Sequence, residues 1–485
     1  LREQNRSGFP LKKVSLLSRW FHLGIARISF IGSRAILFLC FGYILNPKDY
    51  GLIALLLSIG AIASLVLEMG IGTAVLKRSA QNEDETAKSL GGILLMRIVA
   101  LLPVLGLFIA ASRLVLKDDF QFDLALAAGL YTLVYQIGQT FFSFMRGIRE
   151  TEAERNLTTI LHLLETLAVG IFWYIGNPLH LVLLMTVLAG SRCLFIAGLI
   201  VWILNRYRAV FRLAAFTQFF ADNKAFIAAF ALLSVCQFAY IQADVLLLKI
   251  YRTTEEVGRY WACYRLIAVL FLPVDIFVAA VMPRLAAARS NINCSDIYKG
   301  MHLICMMWVL PLLIVLFFYR SELVCLLLGK QFGGVEPLML IIGIGLGLAY
   351  LPPYGLGLSM TERPWSLVLV SSIAAMANVL LNLWMIPIWG ATGAAWATVC
   401  SYGILKLSFL IIMKLRRLSI LAKEALIPTT FAVMWSTFCC LYTIHLAVTV
   451  SVLVFAAGTW MLMRGRIYMS WIEGDGILSA GDRCD

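Results

Sequence analysis

Of 485 residues, 61% are hydrophobic and 14% charged, the mean hydropathy is +0.88 and the formal net charge is +13. A soluble chain carries roughly a quarter charged residues, so this composition excludes a soluble globular protein and makes the chain an all-α polytopic membrane protein. The positive charge lies in short loops between apolar runs, which points to membrane topology and not to a nucleic-acid partner.

In chain order, residues 1–19 are polar and basic and lead into no cleavage pattern, so the first apolar span is expected to be retained. Stretches of about 20 apolar residues, bounded by charge, Pro or Gly, mark helices that cross the bilayer. They fall at 20–45, 50–76, 90–112, 124–145, 157–176, 180–204, 225–250, 258–283, 301–319, 336–360, 366–386, 393–413, 425–443 and 446–463. About fourteen spans result by this length rule. Most Lys and Arg fall in one set of loops, including Arg206, Arg208 and Arg212 in one and Lys414, Arg416 and Arg417 in another. By the positive-inside rule both termini are expected in the cytoplasm, with a cytoplasmic tail at 464–485. The opposite connections, "NPKDYG", "NPLH", "YRTTEEVG" and "PIWGATG", are short, and an enzyme working outside the membrane would more often carry a sizeable outer domain. The eleven cysteines form no C-x-x-C and read as small buried hydrophobes.

The turn at 46–51 is matched by the turn at 251–258. Gly51 and Gly258 are 207 residues apart (258 − 51), and the same offset sets Glu68 opposite Asp275 and Lys77 opposite Arg284. Such coincidences imply two six-helix bundles related as a parallel repeat. Their bounds are 20–204 and 225–413, with a cytoplasmic linker at 205–224. A loop and two extra helices follow at 414–463.

The stretches "QADVLLLKIYRTTEEVGRYWACYRLIAVLFLPVDIFVAAVMPRLAAAR" (242–289), "NVLLNLWMIPIWGATGAAWATVCSY" (378–402) and "NPKDYGLIALLLSIGAIASLVLEMGIGTAVLKR" (46–78) carry a resemblance to a family. They resemble the polysaccharide transport proteins, with the O-antigen flippases, in the multidrug/oligosaccharidyl-lipid/polysaccharide exporter superfamily. The resemblance covers most of 20–415 as many weak matches. It implies two bundles around a water-accessible cavity, in a bacterial inner membrane. A polyprenyl-pyrophosphate-linked oligosaccharide would move from the inner to the outer leaflet by alternating access. It further implies membrane lipids as partners, with polysaccharide polymerase or chain-length machinery beside them. No catalytic residue and no cofactor is needed, and coupling to a proton or sodium ion is left open.

Charges inside the spans are costly and mark partners or cavities. Arg27 and Arg34 share a face two turns apart, Arg34 near mid-membrane and Arg27 near the inner edge. Arg192 also falls near mid-membrane, and Arg97 enters from the inside by about 10 Å. One reading makes these arginines a cationic lining for phosphate, which guanidinium grips bidentately. The other gives each a structural partner; Glu68 matches the depth of Arg27. Arg34 and Arg192 have no evident partner in their hairpins and are taken as the substrate cations, with Lys406 as a counterpart in the second half. His162 and Glu165, three residues apart, form either an inner-edge hydrogen bond or a proton relay. Asp244 and Arg265 lie equally far from the centre of the 251–258 turn, so an ion pair is expected, structural or gating, with ion coupling as the sharper alternative. Asp275 is expected to face a loop or the other bundle. The Gly-rich segment 341–360, with Pro352-Pro353, is either a gate or a static kink.

Three other classes compete: a cation-coupled small-molecule exporter, a membrane glycosyltransferase or polymerase, and a non-transporting scaffold. The excess of embedded bases over acids disfavours the first. No cluster of catalytic acids or bases supports the second, and unpaired mid-membrane arginines would be of little use to the third.

Overall fold

The computed structural model describes residues 32–33, 36–148, 150–175, 181–207, 213–274, 291–350 and 364–415. Among them the helices, in chain order, are α1 (36–44), α2 (Pro47–Glu68), α3 (Ile71–Gln81), α4 (Glu83–Leu116), α5 (Phe122–Gly147), α6 (Thr151–Ile175) and α7 (Leu181–Tyr207). There follow α8 (Leu213–Tyr251), α9 (Thr254–Leu270), α10 (Asn291–Leu327), α11 (Glu336–Tyr350), α12 (Pro364–Trp389) and α13 (Ala391–Leu415). No strand interrupts them among the described residues. Five described segments are long and apolar enough to cross a membrane: Pro47–Glu68, Glu85–Asp119, Leu181–Ile203, Phe216–Ala239 and Val368–Trp389. The expected helices at 425–443 and 446–463, and the Pro-Pro at 352–353, lie outside the described residues.

Local chemistry sets the helix ends. The Asn46 side chain accepts from the Asp49 amide at 2.9 Å, Pro47 opens α2, and Asp49 sits in its first turn. Thr253 caps α9 in the same way, accepting from Glu256. The single span expected at 50–76 is two helices, because Met69 and Gly70 both adopt the left-handed conformation. At Gly70 a Cβ would lie 2.6 Å from the Ile227 carbonyl, so the break lets the start of α3 press on α8. The linker expected at 205–224 is largely helical: α7 runs on to Tyr207, and α8 already starts at Leu213.

Helices α2 and α9 pack against each other, as do α5 with α7 and α12 with α8 and α13. At the end bearing the 46 and 252 turns, which we call the turn end, α2 and α9 touch through Gly51 and Gly258. There a Cβ on Gly51 would lie 2.0 Å from the Thr254 carbonyl, and one on Gly258 would lie 1.8 Å from the Pro47 carbonyl. The contact is symmetric under the 207-residue offset, since Pro47 and Thr254 are also 207 apart (254 − 47).

Two polar arms flank this contact. In one, Asp119 accepts from Lys48 at 3.0 Å, Lys249 at 3.1 Å and the Thr254 hydroxyl at 2.6 Å. In the other, the Tyr43 hydroxyl donates to the Leu326 carbonyl, and Gln331 donates to the Gly42 and Leu45 carbonyls at 2.7 and 2.9 Å. The arms obey the same offset (249 − 42 and 326 − 119), yet one is charged and the other neutral. Edge-on aromatic pairs fill the space beneath, Tyr50 with Trp261 at 5.3 Å and with Phe332 at 5.5 Å.

The Thr254 hydroxyl, then Lys48 and Lys249, hold the Asp119 carboxyl down at about 2, against the opposing effect of burial. A depressed carboxyl contributes fully above the ordinary carboxylate range and loses its contribution as pH falls towards 2. The charged arm is therefore expected to hold unchanged from pH 5 to 9. Asp119→Asn should shift the ratio of closed to separated turn ends about fivefold towards separation, in keeping with about 1 kcal/mol for a half-exposed cluster. Spin-label distances between Gln121→Cys and Glu255→Cys read this ratio; an unaltered distribution would remove Asp119 from the contact.

Candidate functional site

A cavity of about 610 Å³ opens among α1, α2, α3, α5, α7, α8 and α9. Its wall is built mainly by α5, where Tyr131, Tyr135, Gln139 and Ser143 recur every four residues and so share one face. Ser64, Thr73, Thr132, Gln136, Gln242, Arg146, Arg192, Arg265 and Glu68 complete the polar part of the lining. This stripe was the signal the sequence reading missed. Polar groups at helical spacing within an apolar span mark the side that meets water.

The break after Glu68 delivers its carboxylate to this wall. One oxygen accepts from the Gly72 amide at 2.9 Å, so Glu68 caps α3. The other accepts from Arg97 at 2.9 Å and Gln136 at 2.6 Å. Arg97 is fully buried and also donates to the Gln136 carbonyl. Among the described residues Glu68 pairs with Arg97 on the adjoining helix; the expected partner Arg27 lies outside the described residues. Arg97 sits behind the wall, and Arg27 and Arg34 lie outside the described residues, as does Asp275.

Arg192 is also buried, with its guanidinium gripped by both oxygens of Glu165 and its Nη1 donating to the Tyr131 carbonyl at 2.9 Å. The guanidinium carbon stands 3.5 Å from the Tyr131 ring centre and 4.5 Å from that of Tyr135. His162 meets the same carboxylate at 3.2 Å. The expectation that Arg192 lacks a hairpin partner is therefore corrected: Glu165, assigned to His162 alone, is shared by both. Arg192 reaches the cavity as a stacked platform for two tyrosines.

Asp244 and Arg265 form no ion pair with each other among the described residues. Asp244 is buried and accepts from the Tyr260 hydroxyl and, at 2.8 Å, from the Val245 amide. Arg265 turns instead towards the cavity, 4.8 Å over Phe38 and 4.6 Å over Trp261. Equal distance from a turn does not fix the direction each side chain takes around its helix. Lys406 lies on α13 near Cys305 and is not among the cavity-lining residues. In the same half, Asn382 donates to Asn378 at 2.9 Å in a fully buried setting, leaving Asn378 Nδ2 and Asn382 Oδ1 without hydrogen bonds. Among the described residues, no cluster of three or more His, Cys, Asp or Glu side chains is placed to hold a metal.

This arrangement can receive a large, hydroxyl-rich, anionic molecule. Amides and hydroxyls supply hydrogen bonds, tyrosines supply flat faces for sugar rings, and guanidinium groups supply charge. The model of the polysaccharide biosynthesis protein family matches residues 16–289, more than half of the chain. The chain belongs to this family. No curated protein matches it. Among solved structures, the family member is similar to the lipid II flippase MurJ in an inward closed conformation, with TM-score 0.66, 13% identity, and 93% of this chain and 100% of that chain covered. It is also similar to an inward-facing multidrug resistance MATE transporter of the MOP superfamily (0.55, 14%, 84% and 96%). A MOP superfamily transporter from Pyrococcus furiosus, described by the reverse polarity of its binding pocket, matches with 0.59, 14%, 83% and 97%. At these identities the likeness is one of fold. The family member is thus a multi-pass membrane protein with the helical fold of MOP-superfamily transporters.

Proposed function

We propose that the chain flips a lipid-linked oligosaccharide, polyprenyl-pyrophosphate in its carrier part, across the bacterial inner membrane by alternating access. The observation that carries this reading is the cavity itself. It is a polar, tyrosine-lined chamber inside an apolar bundle, closed at the turn end by the α2–α9 contact and its two arms. Membership of a polysaccharide biosynthesis family supports the same substrate class. A small-molecule cation exporter fits less well, because the lining holds Arg146, Arg192 and Arg265 against one carboxylate, Glu68, already held by Arg97.

Under this reading two six-helix bundles, 20–204 and 225–413, rock about the Gly51–Gly258 contact, with two further helices at 414–463 and both termini cytoplasmic. The polymerase or chain-length machinery would receive the product on the outer face. Asp244, held by Tyr260 in the second half, is the proposed coupling site for a proton or sodium ion. Transport by Asp244→Asn is expected to lose its dependence on pH or sodium; an unchanged dependence would remove Asp244 from coupling.

The main test uses proteoliposomes holding a fluorescent lipid-linked oligosaccharide and a membrane-impermeant quencher. Incorporating the protein should raise the rate at which inner-leaflet label becomes quenchable. A rate equal to that of protein-free vesicles would overturn the proposal.

A further inference from the structure

At the end of the cavity opposite the turn end, Arg146 closes α5 and points its guanidinium into the lining. Its hydrogen bonding is sparse: Nη2 donates to the Ser143 hydroxyl at 3.0 Å, and Nε stands 3.7 Å from Glu154 Oε1, outside hydrogen-bond range. Glu154, in the first turn of α6, is 7% exposed, and its second carboxylate oxygen makes no hydrogen bond. A buried carboxylate facing one loosely held guanidinium is poorly satisfied when ionised. Among the described residues, two other basic groups nearby have acidic partners of their own. On α7, Arg206 donates to Glu150 at 2.6 Å; on α6 itself, Arg155 pairs with Glu152 at 3.6 Å.

Resting on the flippase reading, we propose that Arg146 is the docking point for the substrate's pyrophosphate and that Glu154 releases it by taking up a proton. When the anion enters, its oxygens replace the distant carboxylate as partners of the guanidinium, with bidentate geometry and the Ser143 hydroxyl beside them. Glu154 then loses Arg146, and a proton from the adjoining water settles on its orphaned oxygen. The swap balances charge: one anion arrives and one carboxylate is neutralised. The position suits first contact, because both residues lie just beyond the apolar spans 124–145 and 157–176, at the mouth of the chamber.

Burial pushes the Glu154 carboxyl up to about 7, with Arg146 acting in the opposite sense. Below that value Glu154 is neutral and leaves Arg146 to the anion; above it the carboxylate competes. Affinity for a pyrophosphate should therefore fall as pH rises through 7, and binding above pH 7 should take up protons.

The test measures binding of a sugar-free polyprenyl pyrophosphate to the purified full chain by calorimetry in buffers of different ionisation enthalpy, from pH 5.5 to 8.5. Inorganic pyrophosphate and the polyprenyl alcohol, as parallel probes, separate a lipid-borne headgroup from a free anion. Arg146→Gln should weaken binding about tenfold, as loss of a charge-assisted pair does. Glu154→Gln should keep the low-pH affinity of the wild type at pH 8 and remove the proton uptake beyond that of the probe itself. Wild-type affinity in Arg146→Gln, or unaltered proton uptake in Glu154→Gln, overturns the proposal. If Glu154→Gln does not fold, the wild type alone decides: no uptake at pH 8 beyond that of the probe also overturns it. A wild type that neither binds the polyprenyl pyrophosphate nor flips the oligosaccharide would fail the flippase reading, whereas one that flips but is indifferent to Arg146 would fail this inference alone.

Discussion

Replacing Arg192 with Ala is expected to destabilise the chain by about 3–5 kcal/mol, the usual cost of leaving one partner of a buried pair uncompensated. The loss is multiple. Glu165 stays in a dry interior with only His162 beside it, the Tyr131 carbonyl loses its donor, and two tyrosine rings lose the cation between them. Thermal denaturation of the purified protein measures the effect. The double variant Arg192→Met/Glu165→Leu removes both charges together and should recover most of the stability, because apolar replacements of a buried pair are often close to neutral. Binding of a polyprenyl pyrophosphate then separates two roles. A folded double variant with wild-type affinity makes Arg192 part of the wall, while a folded variant that no longer binds makes its charge part of the recognition. An unchanged melting temperature in Arg192→Ala would contradict the buried pairing itself.

The two observed pairings can be counted out in the sequence, although neither is among the expectations drawn from it. Glu68 and Arg97 lie 14 residues before Asn82 and 14 after Glu83, on either side of one turn (82 − 68 and 97 − 83). Glu165 and Arg192 lie 12 before Asn177 and 12 after His180 (177 − 165 and 192 − 180). Antiparallel neighbours rise equally, so equal distance from a turn means equal depth. Applied to Asp244 and Arg265 the same rule gives a pair that the described residues do not form. Asp244 is satisfied by Tyr260, whereas Arg265 lies over Phe38 and Trp261 on the cavity side. Depth comes from counting, but the direction around the helix depends on which neighbours pack there. Arg146 and Glu154 escaped for a different reason: they sit in a polar segment, where charge is unremarkable until the fold buries the carboxylate.

The fold shows the same division. Asn46, Pro47 and Thr253 announce their helix starts in sequence, and the offset of 207 reappears in the contacts at the turn end. The break at Met69–Gly70 was hidden because "MGIG" is apolar enough to continue a span, and only the approach of α8 requires it. Helix α8 extends through the expected linker because "LAAFTQFFADNKAF" contains neither Pro nor Gly to stop it.

Gly258→Ala is expected to open the turn end. The added methyl would lie 1.8 Å from the Pro47 carbonyl and 2.8 Å from the Gly51 amide, both backbone atoms that no rotamer change can move. Helices α2 and α9 must therefore part by an ångström or more. Overpacking of this kind costs about 1–3 kcal/mol, a shift of about 5- to 150-fold against the closed arrangement. The charged arm cannot offset it, since Thr254 on α9 must stay within 2.6 Å of Asp119 for that arm to hold. The Gln121→Cys/Glu255→Cys label pair should move to longer distances, and the neutral arm should show it too, between labels near Tyr43 and Leu326. Gly51→Ala should act alike, and the double variant should cost less than the two singles combined, because one displacement makes room for both methyls. Additive effects, or a distance distribution like that of the wild type, would mean that the two glycines do not govern this end. If they do, a single backbone contact decides when the chamber is closed at the turn end, and the two arms determine only how firmly it stays closed.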